Sequence, residues 1–255
     1  MPLLLETEFR AFAAHPVDAI EGALLVSRLV YRATDPVWCR AELQRLAAQC
    51  GAEHTAQRVT AALRGAGFAG ADDYYQPQNS ALELVLRTRR GIPISLAMVL
   101  VGAAEALGLH AVGINFPNHF LVQIEHRVID PFTLQVLDDA EQHARIDATR
   151  LSASQALRPA TATEVVLRML NNLRTLAAGR RDYQAALEIT DYQMLLTPGS
   201  YAVHLARAEL WHASEVPTMV REELQRALQG APSASLQQEI QASLNQLQVP
   251  PPTLH

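Results

Sequence analysis

The chain has 255 residues, 49% hydrophobic and 18% charged, with a formal net charge of −5. Such a length and composition support one large or two small globular domains with a substantial core. The negative balance and scattered arginines give no electrostatic case for nucleic acid or an anionic membrane surface. Cys39 and Cys50 are the only cysteines. They make no disulfide framework and fit no zinc spacing, so they read as reduced thiols in a cytoplasmic protein. No motif calls for a cofactor.

In chain order, residues 1–70 read as helices: ETEFRAFAA, VDAIEGALLVSRLVYR, PVWCRAELQRLAAQC and EHTAQRVTAALRGAG all carry apolar residues at helical spacing. The opening MPLLLETEFRAF lacks the basic segment and small-residue cleavage site of a signal peptide. Asp35-Pro36 is a helix start, and Gly51, Gly65 and Gly67 are stops. FAGADDYYQPQ is a loop, after which Asn79 or Ser80 is expected to cap a helix over ALELVLRTRR that ends at Gly91. The next helix runs from Pro93 to Gly108. Its apolar run is interrupted by Pro93, Ser95 and Glu105, which makes it a buried core helix and not a membrane span.

After Gly108 the period changes. HAVGINF, HFLVQIEH and RVIDPF are short and β-branched, and predict two or three antiparallel strands. A core helix followed by a small sheet gives an α+β domain, mostly helical, over residues 1–158. From Thr161 the chain returns to paired helices, and Pro198 and Pro232 lie about one tetratricopeptide period apart. Residues 160–250 therefore read as an all-α, tetratricopeptide-like region. Two repeats are few for independent stability, so this region is expected to pack on the first domain or on another copy of the chain.

Chemistry concentrates at Ser95, His119 and Asp130. Ser95 falls in the first turn of the core helix, where free backbone N–H groups and the helix dipole stabilise an anion. His119 follows Pro117-Asn118 at a strand start and suits a general base. Asp130 is held extended by Pro131 and could orient the second nitrogen of His119, as the third member of a triad does. Taken singly, each has a simpler role: Ser95 bonding the first helical turn, His119 a structural histidine, Asp130 a turn former. His110 and His126 flank the same sheet, but no carboxylate or cysteine cluster accompanies them, so no metal site is expected.

The segments YYQPQNSALELVLRTRRGIPISLAMVL, GLHAVGINFPNHFLVQI and VIDPF resemble the SirB-type transglutaminase-like family, strongly over residues 74–132 and loosely elsewhere. The resemblance implies a papain-like core with a central helix packed on an antiparallel sheet, after a helical lead-in and before a tetratricopeptide-like tail. It places Ser95 at the superfamily's cysteine nucleophile, His119 at its histidine and Asp130 at its aspartate. Asn79 matches a recurrent asparagine, an oxyanion-hole donor or a helix cap. Asn118 replaces a common glycine and Gln123 a common arginine.

Serine for cysteine divides the functional reading, because a thiolate–imidazolium pair is accessible near neutral pH and a serine alkoxide is not. One reading is a non-catalytic module that holds a protein or peptide partner through the core groove or the repeat surface. The alternative is a peptidase- or amidase-type hydrolase using Ser95, His119 and Asp130. A purely structural role for His119 and Asp130 is the third.

Overall fold

The computed structural model describes residues 3–247. In chain order the helices are α1 (Glu6–Ala14), α2 (Ala19–Val30), α3 (Pro36–Ala47), α4 (Ala56–Gly65), α5 (Leu82–Thr88), α6 (Pro93–Glu105), α7 (Asp139–Asp147), α8 (Ala153–Ala156), α9 (Ala162–Gly179), α10 (Tyr183–Leu196), α11 (Tyr201–Ala213), α12 (Pro217–Gly230) and α13 (Ala234–Gln246). The strands are β1 (Ala69–Gly70), β2 (Arg90–Gly91), β3 (Ala111–Ile114), β4 (Leu121–Ile124), β5 (Arg127–Asp130) and β6 (Gln135–Val136). The chain forms two compact units, one from Ala11 to Met169 and the other from the remaining described residues. They divide inside α9, ten residues beyond Pro159.

In the first unit everything is arranged around α6. Every residue from Ile94 to Ala104 is buried, as expected for a helix apolar on all sides. Each fully buried Leu, Met or Val there contributes roughly 1.5–3 kcal/mol relative to exposure. The antiparallel sheet runs in the order β3-β4-β5-β6, with Val122 opposite both Gly113 and Ile129. Ile114, Leu121 and Val128 join Phe116, Leu137 and Ile146 in a cluster on this sheet. The α+β class and the core helix with a small sheet agree with the sequence. The strand count is four, because β6, only two residues long, pairs after the Pro131 turn.

Two expected helix boundaries are corrected. Neither Asn79 nor Ser80 caps α5: its N-cap is Ala81, with no side-chain bond, and Asn79 and Ser80 belong to a 3₁₀ turn over Pro77–Ser80. Gly91 does not end α5 either, since it lies in β2. The left-handed C-cap is Arg89, at φ 63°. A side chain other than glycine is strained there, and Arg89 is compensated by an ion pair with Glu42 and by its guanidinium lying 4.7 Å from the Phe68 ring centre. Hydrogen bonds from Arg45 outweigh the burial of Glu42 and, with Arg89, hold its carboxyl down at about 2.

Glu83, 1% exposed, ties α2, α3 and α5 together. Its carboxylate accepts from the Asp35 amide at 2.6 Å and from Arg87 at 2.8 Å, while its own amide donates to Ser27 Oγ. Arg87 in turn lies 4.0 Å over the Trp38 ring. Burial first, and the Glu83 charge second, push the Cys39 thiol up to about 12, so Cys39 is an inert core thiol. Cys39 and Cys50 are both free and buried.

In the second unit, α11 and α12 pack as an antiparallel pair flanked by α10 and α13. Glu223 on α12, fully buried, accepts from His204 Nδ1 at 2.6 Å and from Arg207 Nε at 3.0 Å. Burial works to raise its pKa, but those two partners prevail and lower it. Residues at the chain start belong to this unit: the Phe9 and Tyr192 rings lie 4.7 Å apart, and the Leu5 amide donates to the Tyr192 hydroxyl.

Replacing Glu83 with Ala strands the Asp35 amide and opens a void among three helices. We expect a loss of about 2–4 kcal/mol in urea unfolding, with the m-value unchanged. A second expectation concerns acid. The folded pKa of Glu42 is depressed below 4.5, so its contribution is complete above that value and disappears as the pH falls toward 2. Arg45 is half exposed, which limits the contribution to about 1–2 kcal/mol. Glu42→Gln should therefore flatten the stability curve of the chain between about pH 5 and pH 2.

Candidate functional site

The first turn of α6 decides what Ser95 can do. Pro93 fixes the helical φ at N1 and contributes no N–H. Ser95 follows at N3, and its Oγ accepts the Ile92 amide proton at 3.1 Å, closing the end of the helix back on itself. The same oxygen lies 2.6 Å from the Asn79 carbonyl and 3.0 Å from the Ile92 carbonyl. A hydroxyl has one proton to give, and both acceptors for it are backbone oxygens. Ser95 is wholly buried. Gly91 seals it: a Cβ added there would sit 2.7 Å from Oγ and 3.0 Å from Val85 Cγ1. The helix-start position expected for Ser95 is present, and the hydroxyl spends its hydrogen-bonding capacity on the backbone.

Asn79 is 5% exposed, and its Nδ2 donates to the Asp73 carbonyl at 2.6 Å. The amide is thereby used to close the loop that carries Tyr74 and Tyr75. Beside it, the Ser80 hydroxyl is buried with no hydrogen-bond partner.

His119 does not open a strand. It lies in a turn, exposed, with its amide donating to the Phe116 carbonyl at 3.0 Å, and β4 begins at Leu121. Asn118 before it sits at φ 58°, the left-handed region that glycine takes freely and asparagine tolerates. That conformation accounts for a small or Asx residue at this point. No hydrogen bond joins the His119 ring to Ser95 or to Asp130 among the described residues.

Asp130 ends β5 with 6% exposure, and its partners lie elsewhere. Oδ1 accepts from the Phe132 amide at 3.0 Å, the turn expected of Asp-Pro. Oδ2 accepts from Arg145 on α7 at 2.9 Å. The expected contact from Asp130 to His119 is therefore replaced by an ion pair. Arg145 is the residue that the sequence reading missed: it lies in a polar stretch with no signal that it returns to the end of β5.

The Asp130 turn also sets Phe132, the end of whose ring packs against the backbone of Gly70. A Cβ at Gly70 would meet ring carbons at 2.3 Å, so this approach requires glycine. Phe132, Tyr74 and Tyr75 stay 38%, 43% and 69% exposed, and the two tyrosines meet edge to face at 5.6 Å. Burial pushes the Tyr74 phenol up, opposed by the Arg168 charge. Arg168 also donates to Asn115 Oδ1 at 3.1 Å. Among the described residues no three His, Cys, Asp or Glu side chains converge as metal ligands. No helix among them is long and apolar enough to cross a membrane.

A sequence profile of the transglutaminase-like superfamily matches residues 37–171, which takes in most of the first unit and the site residues Asn79, Ser95, His119, Asp130 and Arg145. A UPF0162 protein of Pseudomonas aeruginosa is 32% identical over 231 residues, covering 85% of this chain and 86% of its own length. A UPF0162 protein of Xylella fastidiosa (strain 9a5c) is 33% identical over 184 residues, covering 66% of this chain and 64% of its own. F-box only protein 21 of Mus musculus is 28% identical over 155 residues, 54% of this chain but 24% of that protein. No solved structure matches the chain.

Adjacent hydroxyls should respond oppositely to deletion. Ser95→Ala leaves the Ile92 amide and the Asn79 carbonyl without their side-chain partner and should cost about 1–3 kcal/mol. Ser80→Ala removes a buried hydroxyl that has no partner and should be neutral or slightly stabilising. Paired chemical denaturation curves check both; equal losses in the two variants would contradict the hydrogen-bond assignment.

Proposed function

The chain belongs to the transglutaminase-like superfamily, and on that premise we propose that it is a non-catalytic module that binds a protein or peptide partner. The proposal takes it as a SirB-type member, with α10–α13 as tetratricopeptide-like helices and a cytoplasmic setting. One observation carries the reading: Ser95, at the nucleophile position, is wholly buried and its hydroxyl is bound to backbone on every side. Attack on a carbonyl requires a base within hydrogen-bond reach and an approach to the oxygen for the substrate. Gly91 occupies the approach, and Arg145 holds the carboxylate that would orient the base. Released from proton transfer, the same region can still recognise an extended segment through Phe132, Tyr74 and Tyr75.

The protein treated with a serine-directed acylating probe should carry no adduct on Ser95 by mass spectrometry, and Ser95→Ala should leave the labelling pattern unchanged. A Ser95 adduct that requires His119 would instead establish the Ser-His-Asp hydrolase. For binding, phage-displayed random peptides selected on the intact protein should lose affinity by about tenfold or more on Phe132→Ala or Tyr75→Ala. Retention in both variants would remove the aromatic surface from the proposal.

A further inference from the structure

The second unit has a concavity of about 770 Å³, far from small for a specific site. Its floor is apolar: Leu205 and Ala208 from α11, Val220 and Leu224 from α12, and Leu247 after α13. Val220 and Leu224 are one helical turn apart, so the floor offers successive apolar steps along a helix face.

The rim differs in charge from the floor. Glu209 and Glu215 line it, both exposed, and among the described residues neither side chain makes an ion pair or hydrogen bond. Arg174 senses the Glu209 charge but forms no ion pair with it. The cations nearest the groove in sequence are already engaged: Arg207 by Glu223 and Asp191, and Arg226 by Glu222 and Glu223. Arg221 differs from them: it donates to the neutral Leu247 carbonyl at 3.4 Å, and its buried Nε has no partner. His212 also lies on the rim, between the two glutamates in sequence. The rim thus carries two exposed carboxyl groups over an apolar floor.

We propose that this groove binds a cationic amphipathic peptide segment, with apolar side chains at helical spacing on the floor and Lys or Arg reaching Glu209 and Glu215. Charge complementarity selects this occupant. An acidic segment or an anionic lipid surface would face like charge, and a wholly apolar one would leave both carboxylates without partners. The inference rests on the reading of the chain as a binding module and gives one of its partners a chemistry.

The test uses the full chain and three labelled peptides in fluorescence anisotropy: a Leu/Lys amphipathic helix former, its Leu/Glu counterpart, and the Leu/Lys composition scrambled to destroy the apolar face. The first should bind, and the other two should bind at least about tenfold more weakly. Glu209→Lys with Glu215→Lys, both on exposed positions, should weaken the first peptide about tenfold or more without changing the circular dichroism spectrum. Equal binding of the Leu/Lys and Leu/Glu peptides, or no effect of the double variant, overturns the inference. So does sedimentation showing a dimer that the double variant dissociates, since a second copy would then fill the groove. Binding seen only after removal of residues 248–255 would assign the groove to the end of the chain itself and equally overturn it. Loss on Phe132→Ala instead of the double variant places the peptide on the first unit, overturning this inference and leaving the binding-module proposal standing.

Discussion

A helix that is apolar on every side must bury its first turn along with its middle, and a buried first turn cannot leave its amides to water. The first unit depends on how α6 meets that requirement. Pro93 removes one donor, and Ser95 turns its side chain back to accept the Ile92 amide. The proton that Ser95 then has left is directed at the Asn79 carbonyl, which ties the start of α6 to the 3₁₀ turn before α5. The Asn79 side chain continues the chain of bonds to Asp73 and so to the tyrosine loop. β1 and β2 run parallel beside this point, with the Ala71 amide on the Gly91 carbonyl. One hydroxyl thus links helix, turn and loop, and its loss is felt in all of them.

On the reading proposed here, the same geometry gives a structural role to the position that the resemblance aligns with a cysteine nucleophile. The N-terminus of a buried helix favours a polar atom whether or not that atom reacts. Serine satisfies the local requirement by accepting one amide and donating to one carbonyl, and glycine at position 91 lets the backbone close over it. A thiol is a poor acceptor and a weak donor, so it would leave these backbone groups less well satisfied and itself freer to ionise. Serine at this place therefore holds the turn better than cysteine would.

Much of this arrangement could be read from the chain. The all-apolar run after Gly91 marked the core helix, the shift to short β-branched segments marked the sheet, and the 3.6-residue periods after Thr161 marked α9 to α13. Gly91 and Pro93 together place Ser95 in the first turn. What could not be read was the choice among partners. Asp130 can serve equally as a turn former, a histidine partner or an ion-pair acceptor, and only the return of α7 brings Arg145 to it. Arg89 in a left-handed cap contradicts local propensity and is understood only once Glu42 and Phe68, distant in sequence, are beside it. Glu83 looks like one more polar residue on an amphipathic helix, since nothing local tells a solvated carboxylate from one that organises three helices. In each case the deciding term is a long-range hydrogen bond to a charged group, which periodicity does not encode.

On the reading proposed here, a thiol at position 95 would not by itself complete a triad. His119 follows the left-handed Asn118 at the surface, with no bond to the carboxylate among the described residues, and Asp130 is held by Arg145 and by the Phe132 amide. Freeing Asp130 means breaking an ion pair whose carboxylate is almost wholly buried, a change that by itself leaves a charge without a partner. It would also release the turn that presents Phe132 to Gly70, and with it the aromatic surface. On the reading proposed here, the Asp130 carboxylate serves the turn before Phe132 and the ion pair with Arg145, and through them the surface around Phe132.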